Sequence, residues 1–268
     1  TLSSSSAASD VYKRQVEELI PMYADSASVL LDSIQAPDEL TDKDFAHWCM
    51  LCGKVTDEAA TGLLPIYQWQ RAQQWFTEHG TAEEQAQIDL YLGRAYVEDG
   101  EYDKAMQIYA DALQLAKEHQ AYNVAGYICA YMADLYGFRD ITSECLKKRE
   151  EACEFFKKAE NYKSYAYSLK DLAGEWAILD SFACTIPLLQ KADSISQLLH
   201  NKNLTAAIAN AFALIYEMQG KYNEAETAYL KAISTRSEES YKDSIGLLKV
   251  YITVSYTHLR AHETSLHL

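Results

Sequence analysis

One position in the sequence holds only glycine or alanine at each advance of forty residues. Small residues are needed where two helix backbones approach to roughly 8 Å, and an aromatic residue one turn away fills the space beside them. The sequence supplies both: the small residues are Gly53, Gly93, Ala133, Ala173 and Ala213, and the aromatic ones are Tyr96, Tyr136, Trp176 and Tyr216. The period therefore predicts a stack of helical hairpins with a continuous apolar stripe as its core.

The clearest single unit runs from Ala86 to Gln120. Its first half places Leu92, Gly93 and Tyr96 on one helical face. A turn follows at Gly100 and Tyr102, and the second half presents Ala105, Tyr109 and Ala112. The last of these positions is alanine in every unit, at Ala72, Ala112, Ala152, Ala192 and Ala232.

These residues resemble the signature of the tetratricopeptide repeat family, L-G-x-x-Y, then G-x-Y, then A-x-x-x-[FY]-x-x-A. The same pattern returns from Ala213 to Ala232, whereas Arg149 and Leu189 replace the usual aromatic in the middle units. The resemblance covers residues 46–240 and implies an all-α fold, a right-handed superhelical solenoid of hairpins with a period of forty residues. The family usually repeats every 34 residues, so we expect slightly longer helices here.

The sequences of the two chain ends indicate an origin different from that of the repeats between them. The stretches SSAASDVYKRQ (Ser5 to Gln15) and VSYTHLRAHET (Val254 to Thr264) resemble one sequencing-adapter DNA element translated in two orientations. We therefore expect residues 1–15 and 254–268 to be adapter-derived and non-native, leaving an internal fragment of a longer protein. Within it we predict a partial helical unit at 16–45, repeats at 46–85, 86–125, 126–165, 166–205 and 206–240, and the first helix of a truncated repeat at 241–253.

Local signals predict where the helices begin and end. Pro65 suits a first helical turn, and Gly80 is expected to end its helix in the left-handed conformation. Side-chain caps are expected at Asp25 or Ser26, Thr41 or Asp42, Asp103, Thr142 or Ser143, and Asn223.

Charge narrows the classes of partner. The chain has 24 basic and 39 acidic residues, a net charge of −15, and without the adapter-like ends 21 basic and 37 acidic residues remain. Such a surface repels nucleic acid and anionic membranes and favours a basic partner. The sequence shows no secretory signal and no apolar run long enough to span a membrane.

No motif in the sequence predicts catalysis, a metal site or a cofactor. His47, Cys49 and Cys52 form a compact H-x-C-x-x-C, but the natural segment offers no second pair of ligands. Acidic pairs such as Glu83 and Glu84 are typical of solvated helix faces, because neighbouring helical residues do not face each other. The six cysteines are expected to be reduced thiols, and the protein is expected not to be an enzyme.

The resemblance implies a concave groove lined by the first helix of each hairpin. In family terms, Lys54, Arg94 and Lys170 would hold carboxylates, Asn210 would bond a peptide backbone, and Tyr127 and Tyr167 would stack on side chains. The Lys and Asn positions that clamp a carboxylate in chaperone-binding members are not reproduced, since Leu90 and Arg94 stand there. The complete groove set is Lys54, Leu90, Arg94, Val97, Tyr127, Asp134, Tyr167, Lys170, Asn210 and Leu214.

The expected function is a non-catalytic scaffold that binds a protein or peptide in this groove. The alternative rests on a second resemblance, of DSASVLLDSIQAPDEL and the acidic, tyrosine-rich repeats to envelope tetratricopeptide proteins of Bacteroidetes. It implies a sensory ectodomain of a membrane-anchored bacterial signalling protein, placed in the cell envelope. Within the fragment, neither nucleic acid nor direct membrane contact is expected.

Overall fold

The computed structural model describes residues 6–34, 36–59 and 61–235. The expected helix at 241–253, the last residues of the repeat at 206–240 and the adapter-like residues 254–268 lie outside these ranges. The chain divides into two compact units, residues 1–135 and residues 136–268. Throughout the described ranges the regular elements are helices, which confirms the all-α prediction.

The first unit is built from helical hairpins that follow a kinked N-terminal element. A short 3-10 turn at Pro37–Glu39 precedes the first hairpin. The elements are α1 (Ser6–Asp32), α2 (Asp42–Glu58), α3 (Ile66–His79), α4 (Ala82–Glu98), α5 (Tyr102–Glu118) and most of α6 (Tyr122–Phe138).

The second unit continues from the last turn of α6 with the same helix lengths. Its elements are α7 (Thr142–Lys158), α8 (Tyr162–Ile178), α9 (Phe182–Leu198), α10 (Lys202–Met218) and α11 (Tyr222–Thr235). From α4 to α10 each helix has 17 residues, and each helix from α5 to α11 begins 20 residues after the one before it. Equal helices with three-residue connections therefore set the spacing of the hairpins.

Each of these connections contains one residue in the left-handed conformation. At the end of α4, the amide of Gly100 donates to the Val97 carbonyl (3.1 Å) and the amide of Glu101 donates to the Tyr96 carbonyl (2.8 Å). This is the Schellman arrangement, which satisfies carbonyls that a helix end leaves without partners. It recurs in every connection from α4 to α11, with positive φ at Gly100, Gln120, Asp140, Glu160, Asp180, His200 and Gly220.

Side-chain caps occur on the first helix of the hairpins. Thr41 accepts from the Asp44 amide, and Thr81 forms a reciprocal capping box with Glu84. Asn161 and Asn201 cap α8 and α10 with a single bond each, in which the side-chain oxygen accepts from the amide of Ser164 or Leu204. The caps predicted at Asp103, Asn223 and Thr142 or Ser143 are wrong, because these residues lie inside the first turns of α5, α11 and α7.

The glycines of the small-residue position lie under aromatic rings. A Cβ atom at Gly53 would overlap the ring of Tyr91, and one at Gly93 would overlap the ring of Tyr109. Both rings are fully buried, so these glycines are closely packed, although the atoms nearest to them belong to a tyrosine ring and not to a second helix backbone as predicted. The alanines at the same position in later hairpins, Ala133, Ala173 and Ala213, are also fully buried.

Gly80 ends α3 for a different reason from the one predicted. Its φ of −85° and ψ of 160° are extended, so the expected left-handed ending is wrong. A Cβ atom at this position would lie 2.7 Å from Cδ1 and 2.8 Å from the carbonyl oxygen of Phe76. Close approach to Phe76 therefore requires glycine here.

The N-terminal element α1 is divided by a kink at Tyr23, whose φ of −139° and ψ of 55° are not helical. The segment after this kink runs to Asp32 and contains the helix predicted to start near Asp25 or Ser26, whereas the helical segment before it, which begins at Ser6, was not predicted. Residues of the adapter-like stretch pack onto the unit: the Tyr12 hydroxyl donates to the Leu30 carbonyl (2.7 Å), and Lys13 pairs with Asp44 (3.1 Å).

Candidate functional site

The strongest polar constellation near the predicted groove centres on Arg94 of α4. Its guanidinium pairs with Asp57 of α2 and lies 4.9 Å from the ring centroid of Tyr131 on α6. The Tyr91 hydroxyl donates to the second oxygen of Asp57 (2.8 Å), and Gln87 donates to that hydroxyl (3.1 Å). We call these five residues the Arg94 cluster; it ties α2, α4 and α6 of the first unit together.

Burial dominates the electrostatics of the cluster. It raises the pKa of Asp57, while the charge of Arg94 and the hydrogen bond from Tyr91 oppose that shift. Burial also raises the pKa of Tyr91 well above its usual value and that of Tyr131 to about 12. For Arg94, burial acts to lower the pKa, but Tyr131 and Asp57 outweigh it and the pKa rises. The guanidinium therefore stays charged and the phenols stay neutral at physiological pH.

The three cations predicted to hold a partner's carboxylates already have carboxylates of this chain beside them. Arg94 pairs with Asp57, and Lys170 pairs with its neighbour Asp171. Lys54 lies 3.8 Å from Glu17. An acidic partner would have to displace these contacts, so the positive charge at these positions is largely compensated.

The remaining members of the groove set differ in exposure. Leu90 is only 2% exposed and belongs to the core, so it has no surface to offer a ligand. Leu214 is 45% exposed. Asp134 is also exposed, whereas four residues are half-buried: Val97, Tyr127, Tyr167 and Asn210. The accessible apolar position of the set is therefore Leu214 on α10.

The H-x-C-x-x-C stretch on α2 is occupied by packing contacts. The ring of His47 hydrogen-bonds through Nδ1 to the Lys43 carbonyl (2.7 Å) and meets Trp75 edge to face (5.0 Å). Burial raises the pKa of both Cys49 and Cys52, which favours the thiols over the thiolates that bind metals. In the described part of the chain, no group of three metal-ligating side chains converges.

The sequence did not single out Asp57, Tyr91 or Tyr131. Asp57 lies 37 residues before Arg94, and its position is held by Val97, Gly137, Ala177 and Glu217 in later units, so a carboxylate recurs there only in the last unit and no regular period marks Asp57. A usable signal was present for the tyrosines, since Tyr91 and Tyr131 stand forty residues apart.

A comparison with protein families gives matches in two segments of the chain. Residues 92–120 and residues 205–239 each match the tetratricopeptide repeat family. These matches identify tetratricopeptide repeats in the chain. The first repeat match includes Arg94 of the cluster and the second includes Leu214. A comparison with curated proteins gives no match.

Solved structures share the fold of these repeats at low identity. BtubC (BKLC) from P. vanneervenii is 17% identical with a TM-score of 0.62, over 74% of this chain and 80% of its own. A Rap protein complexed with Competence and Sporulation Factor is 14% identical with a TM-score of 0.65, over 97% and 73%. Aspartyl phosphate phosphatase F from Bacillus subtilis is 15% identical with a TM-score of 0.58, over 99% and 73%. These likenesses support a tetratricopeptide solenoid fold.

Within the described ranges, no helix has both the length and the apolar composition needed to cross a bilayer.

Proposed function

We propose that this protein is a non-catalytic scaffold that binds a protein or peptide along the first helices of its repeats. The observation that carries the proposal is the series of equal hairpins, because hairpins that stack within a unit present a surface built from the same helical positions. A structural neighbour, the Rap protein, was solved in complex with Competence and Sporulation Factor. That precedent supports a binding role for the same fold here.

The exposed groove positions favour apolar and hydrogen-bonding contacts over capture of acidic groups. Leu214 offers accessible apolar surface, and half-buried Asn210 lies one turn before it on α10. Lys170 on α8 already faces Asp171. With a net charge of −15 for the whole chain, a partner with basic side chains around an apolar anchor fits this surface better than an acidic one.

The test is selection of binding peptides from a phage-displayed random library on the whole chain. We expect Leu214→Glu to weaken the selected peptides by about tenfold or more, equivalent to about 1.4 kcal/mol. Leu230→Glu is the matched control, because Leu230 is similarly exposed (52%) but lies on α11, a second helix of a hairpin. Equal losses in the two variants, or peptides rich in acidic residues, would contradict the proposal.

A further inference from the structure

In one repeat only, a half-buried carboxylate stands at a position that lies in the apolar core of the other repeats. Asp89 on α4 stands at the helical position that holds an apolar residue in the four other units. Those residues are all buried: Cys49, Cys129, Leu169 and Ala209. Burying a charge at a position that is apolar in the other units costs folding free energy, so Asp89 destabilises the fold where its equivalents stabilise it.

The contacts of Asp89 lie across the joint between two hairpins. Gln73 of α3 donates to its carboxylate at 2.6 Å, joining the α2–α3 hairpin to the α4–α5 hairpin. At the position of Gln73, later units carry Leu113, Cys153, Asp193 and Ile233, so three of the four equivalents are apolar and none of them faces a carboxylate at the position of Asp89.

Among the described residues, this carboxylate has no basic partner. In the described ranges, no ion pair includes Asp89, and the charged group that acts on it is the carboxylate of Asp111 on α5. Asp111 itself accepts two hydrogen bonds from Gln107, both 3.1 Å. The cations of the surrounding helices form their ion pairs elsewhere: Lys54 with Glu17, Arg71 with Asp42, Arg94 with Asp57 and Lys104 with Glu101.

This environment favours the protonated carboxyl. Burial raises the pKa of Asp89 to about 6, the hydrogen bond from Gln73 acts in the opposite direction, and Asp111 raises it further. Because the folded pKa lies above the unfolded value of 3.8, the native state binds the proton more tightly. Stability linked to this group is therefore greatest in acid, declines as pH rises from about 4 to about 6, and is flat above that range.

We propose that Asp89 is a proton-sensitive contact that tightens the joint between the α2–α3 and α4–α5 hairpins in mild acid and loosens it at neutral pH. Protonation weakens the hydrogen bond from Gln73, which favours the ionised carboxylate, but it removes the cost of burying the charge and the repulsion from Asp111, and these two effects outweigh the loss. The same helix α4 carries Tyr91 and Arg94, which contact Asp57 of α2. Because these residues lie on the same helix as Asp89, a shift of α4 against α3 also moves Tyr91 and Arg94 relative to Asp57.

The first test compares urea unfolding of the whole chain with that of its Asp89→Asn variant. Relative to wild type, the folding equilibrium of the variant should improve by roughly 20-fold between about pH 4.5 and about pH 7.5, as calculated from a shift of about two pKa units. Asp99→Asn is the control on the exposed end of α4 and should leave the pH profile unchanged. A ratio that is the same at both pH values would overturn the proposal.

The second test locates the effect. Hydrogen exchange, corrected for intrinsic rates, should show greater protection of α3 and α4 amides at the lower pH in wild type, and no such difference in the Asp89→Asn variant. A pH effect spread evenly over all helices, or one that persists in the variant, would show that general charge repulsion acts instead.

Discussion

Replacing the left-handed residues between helices by glycine should stabilise the protein. Five of these residues are not glycine and have φ between 50° and 58°. The most informative are Gln120 and Glu160, one in each unit, because both are exposed and long-chained. Asp140 and Asp180 should gain less, since aspartate tolerates this conformation better.

The magnitude follows from two opposing terms. A left-handed residue other than glycine costs about 1–2 kcal/mol, whereas glycine adds about 0.4–1 kcal/mol of unfolded-state entropy. The net gain is about 0.5–1 kcal/mol per site, or about 1–2 kcal/mol for Gln120→Gly with Glu160→Gly. For a chain of this size, the double variant should melt about 2–8 °C higher.

The assay is thermal and urea unfolding followed by helical circular dichroism. Gln114→Gly and Glu154→Gly make the same chemical changes at exposed sites inside α5 and α7, where they should cost about 0.5–1 kcal/mol each. Gly100→Ala gives the reverse test: a Cβ atom there would meet no atom within 4 Å, so any loss of stability comes from the backbone alone. Destabilisation by Gln120→Gly equal to that of Gln114→Gly would refute the reasoning.

Replacing two tyrosines by phenylalanine distinguishes two side chains that occupy the same repeat position but differ in hydrogen bonding. Tyr109 and Tyr229 occupy the same repeat position and are both fully buried, but the Tyr229 hydroxyl donates to Glu217 (3.0 Å), while the Tyr109 hydroxyl has no hydrogen-bond partner among the residues that the structure describes. Calorimetry should therefore show that Tyr229→Phe costs about 1 kcal/mol and that Tyr109→Phe is neutral or stabilising, and equal costs would be inconsistent with these contacts. Pro187 lies exposed inside α9, so Pro187→Gln should restore a helical hydrogen bond and add up to about 3 kcal/mol; an unchanged urea midpoint would count against this.

The repeat framework could be predicted because its physical cause leaves a periodic trace. A ring that packs on a helix backbone requires a small residue beneath it, and Gly53 and Gly93 meet this requirement under Tyr91 and Tyr109. The left-handed residues leave no such trace. At Gln120 and Glu160 the hydrogen bonds of the connection impose the conformation on residues that do not prefer it.

The groove set shows which properties of a binding site cannot be read from the sequence. The residue types and the helical face were readable, but the partner of each charge was not. Asp57 is one carboxylate among many in an acidic chain, and only the structure places it against Arg94. Likewise, Leu90 was assigned to the surface by its family position, yet it is buried.

The uniform connections also determine which insertions and deletions preserve the apolar face of the later helices. One inserted residue inside a helix rotates every later side chain by about 100°, which would turn the apolar stripe toward solvent. Removing a whole hairpin has no such effect, because Gln120 and Glu160 share the same backbone conformation and the helices that follow them begin at equivalent points. Blocks of forty residues can thus be deleted or duplicated at the left-handed connections without changing which face of each later helix is apolar.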